Sequence, residues 1–346
     1  MEYRRLGRTD IKVSAICLGT MTWGEQNTQD QGFEQMDYAL DHGVNFWDTA
    51  EMYSVPPRKE TYGRTEEIIG NWFKARGRRD KVVLATKVAG PDERFTYIRD
   101  GKPRLNRTHI LAAVEASLKR LGTDYIDLYQ LHWAERDTNV FGKLGYAPAK
   151  TEDGTPLEVT LDALAEAVKI GMVRQVGLSN ESAWGAMRYL ALADAGKGPH
   201  MVSIQNAYSL LNRSFEVGLA EVAARENCGL LAYSPLGMGV LSGKYLDGAE
   251  PAGARLTVYK HFKRYRTPSG VAATAAYVKL AREHGLDPAQ MALAFVTGRP
   301  FVTANIIGAT TMAQLKSNVA SAGVTLSAEV LDGIEAIHRL HTYPCP

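Results

Sequence analysis

Cysteine is scarce: the 346 residues hold three, Cys17, Cys228 and Cys345. They are odd in number, far apart and in no metal-ligand spacing, which excludes a disulfide framework and a thiolate metal site. A reducing, cytoplasmic setting is the expectation. None of the eight histidines forms a His-x-His or His-x-x-x-His pair, so no histidine metal centre is expected. Long apolar runs are missing too; nothing approaches the roughly 18 residues of a membrane span. Arg4-Arg5 is followed by Asp10 and Lys12 rather than an apolar stretch, so neither a signal peptide nor a twin-arginine signal is expected. Charge of one sign is also lacking, with 40 basic against 38 acidic residues. The densest basic run (Lys74, Arg76, Arg78, Arg79, Lys81) falls where a helix should end and cations suit the dipole. No nucleic-acid or membrane partner is therefore expected; the oligomeric state is not legible in the sequence.

What is present is a globular composition, 45% hydrophobic and 23% charged, able to form a core without metal or disulfide staples. Short β-rich runs alternate with amphipathic stretches. The predicted strands are Ala15–Leu18, Asn45–Asp48, Val82–Lys87, Tyr125–Leu131, Arg174–Leu178, Val202–Asn206, Gly229–Tyr233 and Asn305–Gly308. Helices are predicted near 29–42, 64–76, 107–121, 158–170, 181–195, 214–227, 270–284 and 311–321. Ile68, Ile69, Trp72 and Phe73 mark one helical stripe, and Leu111, Val114, Leu118 and Leu121 another. Such alternation implies right-handed βαβ units and a parallel sheet. Eight units predict an α/β fold closed into a (β/α)8 TIM barrel. The alternative, a doubly wound sheet, wants a glycine fingerprint after the first strand, and Gly19-Thr20-Met21-Thr22-Trp23-Gly24 supplies none.

Outside the repeat, Tyr3–Leu6 and Ile11–Ser14 read as an N-terminal β-hairpin, and Asp287–Val296 and Ser327–His338 as extra C-terminal helices. Long loops, roughly 89–105, 133–157 and 234–268, follow strands three, four and seven, at the C-terminal face where barrel enzymes carry their sites. No Gly/Ser- or Pro-rich linker divides the chain, so residues 1–346 are expected to form a single domain.

At the strand ends an acid, a phenol, an ammonium and an imidazole converge. Strand two runs into Asp48-Thr49-Ala50-Glu51-Met52-Tyr53, strand three carries Lys87 and strand four ends at His132. Each has a bland alternative: a turn cap, a buried ring, a core histidine. Lys87 is the hardest to dismiss, since it emerges from Val82-Val83-Leu84-Ala85 and needs a partner. An ammonium about 4 Å from the phenol favours the phenolate by on the order of 4 kcal/mol at an effective dielectric of about 20, with desolvation opposing. A more acidic Tyr53 is thus expected, with Asp48 holding Lys87 charged, able to protonate a developing alkoxide. No Ser or Cys nucleophile stands nearby, which leaves hydride from a cofactor.

These residues, Asp48-Thr49-Ala50-Glu51-Met52-Tyr53 with Lys87 and His132, resemble the catalytic tetrad of the aldo-keto reductases, and the likeness spans the whole chain. Trp23–Asn27, Met52–Arg58 and Tyr343–Pro346 look closest to one bacterial branch. The resemblance implies an NADPH-dependent oxidoreductase reducing aldehydes or ketones, with Tyr53 as proton donor, Asp48 and Lys87 tuning it and His132 orienting the carbonyl. It implies a dinucleotide site as well. Thr20, Met21, Gln26 and Asp48 would lie along the cofactor. Ser179, Asn180 and Gln205 would hold the carboxamide, and Tyr233 would stack on the nicotinamide. From the residues alone, Asn180 can be a helix cap and Tyr233 a core ring.

The loop Ser234–Lys244 contains Gly237-Met238-Gly239, but Ser242 stands where a dinucleotide fingerprint wants a third glycine. The resemblance instead wraps Ser234, Leu236, Met238 and Lys244 around the pyrophosphate, with Arg255 beyond. Gly308, Thr310, Gln314 and Asn318 begin the helix after strand eight, a ready phosphate site, and are implied around the adenosine and its 2′-phosphate. Many family members carry a lysine at the position of Gly308 and an arginine at that of Gln314; this chain has neither. Trp23, Tyr53, His132, Trp133 and Tyr343 are expected to face substrate, a small-molecule carbonyl. The mixed charges of the loop after strand four, Arg136, Lys143, Lys150, Glu152 and Asp153, name no ligand. The alternatives are an NADP(H)-binding regulatory subunit with little turnover and a Schiff-base aldolase using Lys87, which Asp48 argues against by keeping the ammonium charged.

Overall fold

The computed structural model describes residues 1–148 and 154–346; Lys150, Glu152 and Asp153 lie outside the described residues. β1 (Tyr3–Arg5) and β2 (Lys12–Ser14) form an antiparallel hairpin. Eight parallel strands follow: β3 (Ile16–Gly19), β4 (Phe46–Asp48), β5 (Val83–Val88), β6 (Ile126–Leu131), β7 (Val173–Ser179), β8 (Met201–Ala207), β9 (Gly229–Tyr233) and β10 (Val302–Ile307). β10 pairs with both β9 and β3, which closes the barrel. The (β/α)8 barrel expected from the alternation is the observed fold.

The helices between them are α1 (Gln29–Asp41), α2 (Arg64–Arg76), α3 (Arg107–Leu121), α4 (Leu157–Lys169), α5 (Ala183–Asp194) and α6 (Leu219–Arg225). α7 (Arg255–Val258) is a single turn inside the loop after β9, and α8 (Pro268–Glu283), α9 (Pro288–Thr297), α10 (Met312–Ala320) and α11 (Ala328–Leu340) complete the chain. Side-chain caps set many starts: Thr28 and Gln31 make a capping box on α1, and Thr267-Pro268 and Asp287-Pro288 open α8 and α9.

Three expectations needed adjustment. The helix predicted over 214–227 divides at Gly218 into the turn Ser214–Val217 and α6, because Gly218 leaves helical geometry. The last strand begins at Val302, three residues early: Thr303 and Ala304 carry a weak apolar signal, but both are buried, and Ala304 pairs with Leu231. On α3 the buried face is Ile110, Ala113, Val114, Ser117 and Leu121, so Leu111 and Leu118 sit at its edge. The stripe on α2 is buried as read, with Trp72 edge-on to Trp47 of β4 at 4.9 Å between ring centroids.

Two apolar layers result. One lies between sheet and helices; the other fills the barrel with Cys17, Phe46, Ala85, Leu128, Leu231 and Ala304. Leu6 and Val13 of the hairpin segment join the inner layer and plug the end where the strands begin. Gly7 makes that plug possible: its φ is +58°, and a Cβ there would stand 2.4 Å from the Val202 carbonyl oxygen. The opposite rim, where all strands end, carries the long connections after β5, β6 and β9. Among the described residues no helix is long and apolar enough to cross a membrane.

Candidate active site

Parallel register brings the rim groups together. Asp48 closes β4, and Lys87 lies one residue from the end of β5, opposite Gln130 of β6. The Lys87 side chain is fully buried. Its Nζ donates to Asp48 Oδ1 at 2.6 Å and to the Thr49 carbonyl at 2.7 Å, and lies 3.5 Å from the Tyr53 hydroxyl. The other carboxylate oxygen, Oδ2, accepts from Gln130 Nε2 at 3.2 Å and Gln205 Nε2 at 2.8 Å. His132 follows β6 and meets the Tyr53 ring edge-on, with centroids 5.7 Å apart.

The charge states follow from these contacts. Burial, the largest single influence, pulls the Lys87 ammonium down, but Asp48 and Tyr53 together outweigh it and the net shift is upward, so the ammonium persists. For Tyr53, burial raises the phenol and Lys87 opposes without overcoming it; the net shift is upward. The acidified phenol expected from Coulomb attraction is therefore not found, because desolvation of the phenolate is the larger effect. Tyr53 remains a protonated donor. Burial, then Lys87, depresses His132 well below 6.5, so the imidazole is neutral at neutral pH. Its Nδ1 is buried without a partner.

The expected carboxamide group is one network. Asn180, with φ +49°, donates to the His132 carbonyl at 2.9 Å and to Ser179 Oγ at 3.1 Å, and accepts from the Tyr233 hydroxyl at 2.6 Å. Ser179 Oγ donates to the Gln205 carbonyl at 2.9 Å. Thr20 is buried, its hydroxyl on the Asp48 carbonyl; the Met21 carbonyl accepts from the Val55 N–H; Gln26 reaches the Gly253 carbonyl at 3.4 Å. Ser234 and Met238 take positive φ in the tight turn after β9, where the Leu236 carbonyl accepts from the N–H groups of Gly239 and Leu241.

Lys244 and Arg255 on this loop have no carboxylate partner among the described residues. Lys244 is partly buried and depressed by desolvation. Arg255 is 8% exposed, with Nε and Nη2 both buried and unpaired. Such groups are costly unless an anion arrives. At the start of α10, Gln314 Oε1 accepts from the Thr310 N–H and hydroxyl, and Asn318 Nδ2 donates to the Gly308 carbonyl at 3.1 Å, while the space beside Gly308 is open.

Of the expected substrate walls, Trp23 is corrected: it is fully buried, its indole N–H on Gln35 Oε1 at 3.0 Å and its ring against Gly32. Its position just after a strand end suggested a wall, but the chain turns it down behind the sheet. Trp133 stays at the rim, 7% exposed, between His132, Phe95 and Phe141. Tyr343 lies edge-on to His338 of α11. The sequence reading missed Gln130 and the pair Glu51–Arg99. Glu51 is fully buried and meets Arg99 through both oxygens at 2.7 and 2.8 Å, while also accepting from the Tyr62 hydroxyl and the Ala89 N–H. Gln130, like Gln205, is an amide in an otherwise apolar strand, which is the signal in the sequence that could have found it. Among the described residues no cluster of His, Cys, Asp and Glu can hold a metal.

The family model described as Aldo/keto reductase family matches residues 15–339. The chain is 54% identical, over the full length of both, to the protein called Protein tas of Escherichia coli strain K12. It is 31% identical to a probable voltage-gated potassium channel subunit beta of Arabidopsis thaliana, covering 97% of this chain and 96% of that one. It is 29% identical to the L-glyceraldehyde 3-phosphate reductase of Escherichia coli strain K12, covering 97% and 92%.

Proposed function

The chain belongs to the aldo/keto reductase family, and from that premise we propose that it is an NADPH-dependent reductase of aldehydes or ketones in which Tyr53 is the general acid. The carrying observation is the buried Lys87–Asp48 pair placed at the hydroxyl of a protonated Tyr53, with a neutral imidazole beside it. We take residues 1–346 as one functional unit, because hairpin and late helices pack on the same barrel. The three cysteines are free and buried, which suits a cytoplasmic setting.

The residues present fit a dinucleotide. The unpaired guanidinium nitrogens of Arg255 and the Lys244 ammonium suit its pyrophosphate. Gln205 and Asn180 suit its carboxamide, and the open turn at Gly308 with Thr310, Gln314 and Asn318 suits the adenosine end. With no lysine at 308 and no arginine at 314, the 2′-phosphate would meet amides and hydroxyls; competition between NADPH and NADH measures that preference. When bound, the reduced nicotinamide supplies hydride to the carbonyl carbon. Tyr53 gives its proton to the carbonyl oxygen, and Lys87 stabilises the phenolate left behind. We assign the His132 proton to Nε2, since the buried Nδ1 has nothing to donate to; Nε2–H then orients the same oxygen.

The test is Tyr53→Phe, which removes only the hydroxyl. NADPH consumption with a carbonyl panel should fall by roughly 10²–10⁴-fold, while NADPH binding, followed by fluorescence, stays unchanged. Wild-type protein that turns over no carbonyl, or a variant as fast as wild type, sinks the reading. A regulatory subunit is the second reading, favoured by the likeness to the potassium channel subunit beta. Tight NADPH binding with negligible turnover is its signature.

A further inference from the structure

The hydrogen bonds around Asp48 form a ring that the roles above do not use in full. Lys87 holds Oδ1, and Oδ2 takes the amide nitrogens of both Gln130 and Gln205. A carboxylate only accepts, so both amides must turn their NH2 toward it. Gln205 Nε2 also donates to Gln130 Oε1 at 3.2 Å. Both Gln205 amide hydrogens are thereby engaged, and its Oε1 takes no hydrogen bond among the described residues. That oxygen is what Gln205 has left to offer a ligand, and it accepts only a donor. Gln130 itself is fully buried on β6, behind the groups that line the rim.

We propose that Gln130 is a positioning residue for the nicotinamide end of the cofactor: giving one hydrogen to Asp48 and taking one from Gln205, it fixes Gln205 with its carbonyl oxygen free, the polarity that matches the NH2 of a carboxamide. Its loss leaves Asp48 one donor short and frees the Gln205 amide to rotate. The role rests on the reductase reading, since it needs a nicotinamide, and it makes Gln130 matter for one half of the dinucleotide only.

The experiment uses the full-length chain, with Gln130→Met and Gln130→Glu, titrated with NADPH and with 2′-phospho-ADP-ribose, which lacks the nicotinamide. Gln130→Met is expected to weaken NADPH binding roughly three- to tenfold, the scale of the one neutral hydrogen bond between the Gln205 oxygen and the carboxamide, and to leave the fragment unchanged; unaltered fragment binding also shows that the variant is folded. Gln130→Glu adds a signature that a packing role would not give. When protonated, its carboxyl can donate to Asp48 and accept from Gln205 as the amide did; when ionised it repels Asp48. Position 130 bonds Asp48 of β4 and lies in register with Lys87 of β5, whose ammonium persists; the other titratable groups beside that pair, Tyr53, His132 and Cys17, are held uncharged by burial. NADPH affinity relative to wild type should therefore fall as pH rises, with no such trend for the fragment. NADPH binding equal to wild type in both variants, or equal losses for NADPH and fragment, overturns the role. Wild-type protein that binds the fragment and NADPH equally overturns the nicotinamide reading itself, and this role with it.

Discussion

His132 shows how a single buried side chain ties chemistry to pH. Its folded value is depressed by burial and by the Lys87 ammonium, from an ordinary 6.5. Above 6.5 neither folded nor unfolded ring carries the proton, and stability is unaffected. Below it the unfolded chain takes up a proton that the folded chain refuses, so stability falls as pH drops, until the folded ring protonates. One proton corresponds to about 1.4 kcal/mol per pH unit. Replacing His132 with Gln should make the urea midpoint fall less steeply between pH 6.5 and 5 than in wild type, whatever the variant's stability at pH 7. Lys87 works in the other direction: its raised value makes its contribution complete below 10.5 and lost only at more alkaline pH.

At the scale of elements, the rim loops are tied by charge as much as by apolar contact. Glu51 sits between Asp48 and Tyr53 and is gripped by Arg99 from the loop after β5, where Arg99 takes a φ of +44°. The backbone N–H of Glu51 donates to the Lys87 carbonyl and its carboxylate accepts from the Ala89 N–H, so the pair anchors the Tyr53 loop to the end of β5. Arg99→Met leaves a fully buried carboxylate without its cation, and a loss of about 3–5 kcal/mol in urea unfolding is expected. Turnover should fall as Tyr53 loosens against Lys87. Pairing it with Glu51→Gln removes the stranded charge and should restore part of the stability. The sequence showed Glu51 within the motif but could not show Arg99 as its partner: the two are 48 residues apart and meet only because β4 and β5 are neighbours.

Across the whole molecule, the barrel is closed at one end by the hairpin and left to function at the other. Leu6 is fully buried in the inner layer with Phe46, Leu128 and Leu231. Leu6→Ala should cost about 2–5 kcal/mol in urea unfolding, with kcat and KM for a carbonyl substrate unchanged because the rim is at the opposite end. A change in KM would show that the plug and the rim communicate. The near balance of 40 basic and 38 acidic residues also acquires a meaning at this scale. With no net field to attract a dinucleotide, attraction must come from local groups such as Lys244 and Arg255, both of which lack carboxylate partners among the described residues.

Strand count, helix positions and the rim residues Asp48, Tyr53, Lys87 and His132 were legible in the sequence. They depend on periodicity and on which residue ends each strand, and both are local properties. The sign of the Tyr53 shift, the burial of Trp23 and the ring Gln130–Asp48–Gln205 were not. Each depends on what surrounds a side chain in three dimensions: the depth of the phenol, the direction of the turn after β3, and the closure that brings β4, β6 and β8 around one carboxylate. Periodicity along the chain determined the barrel, and only its closure decided the electrostatics of the site, because desolvation and hydrogen-bond partners are set by neighbours distant in sequence.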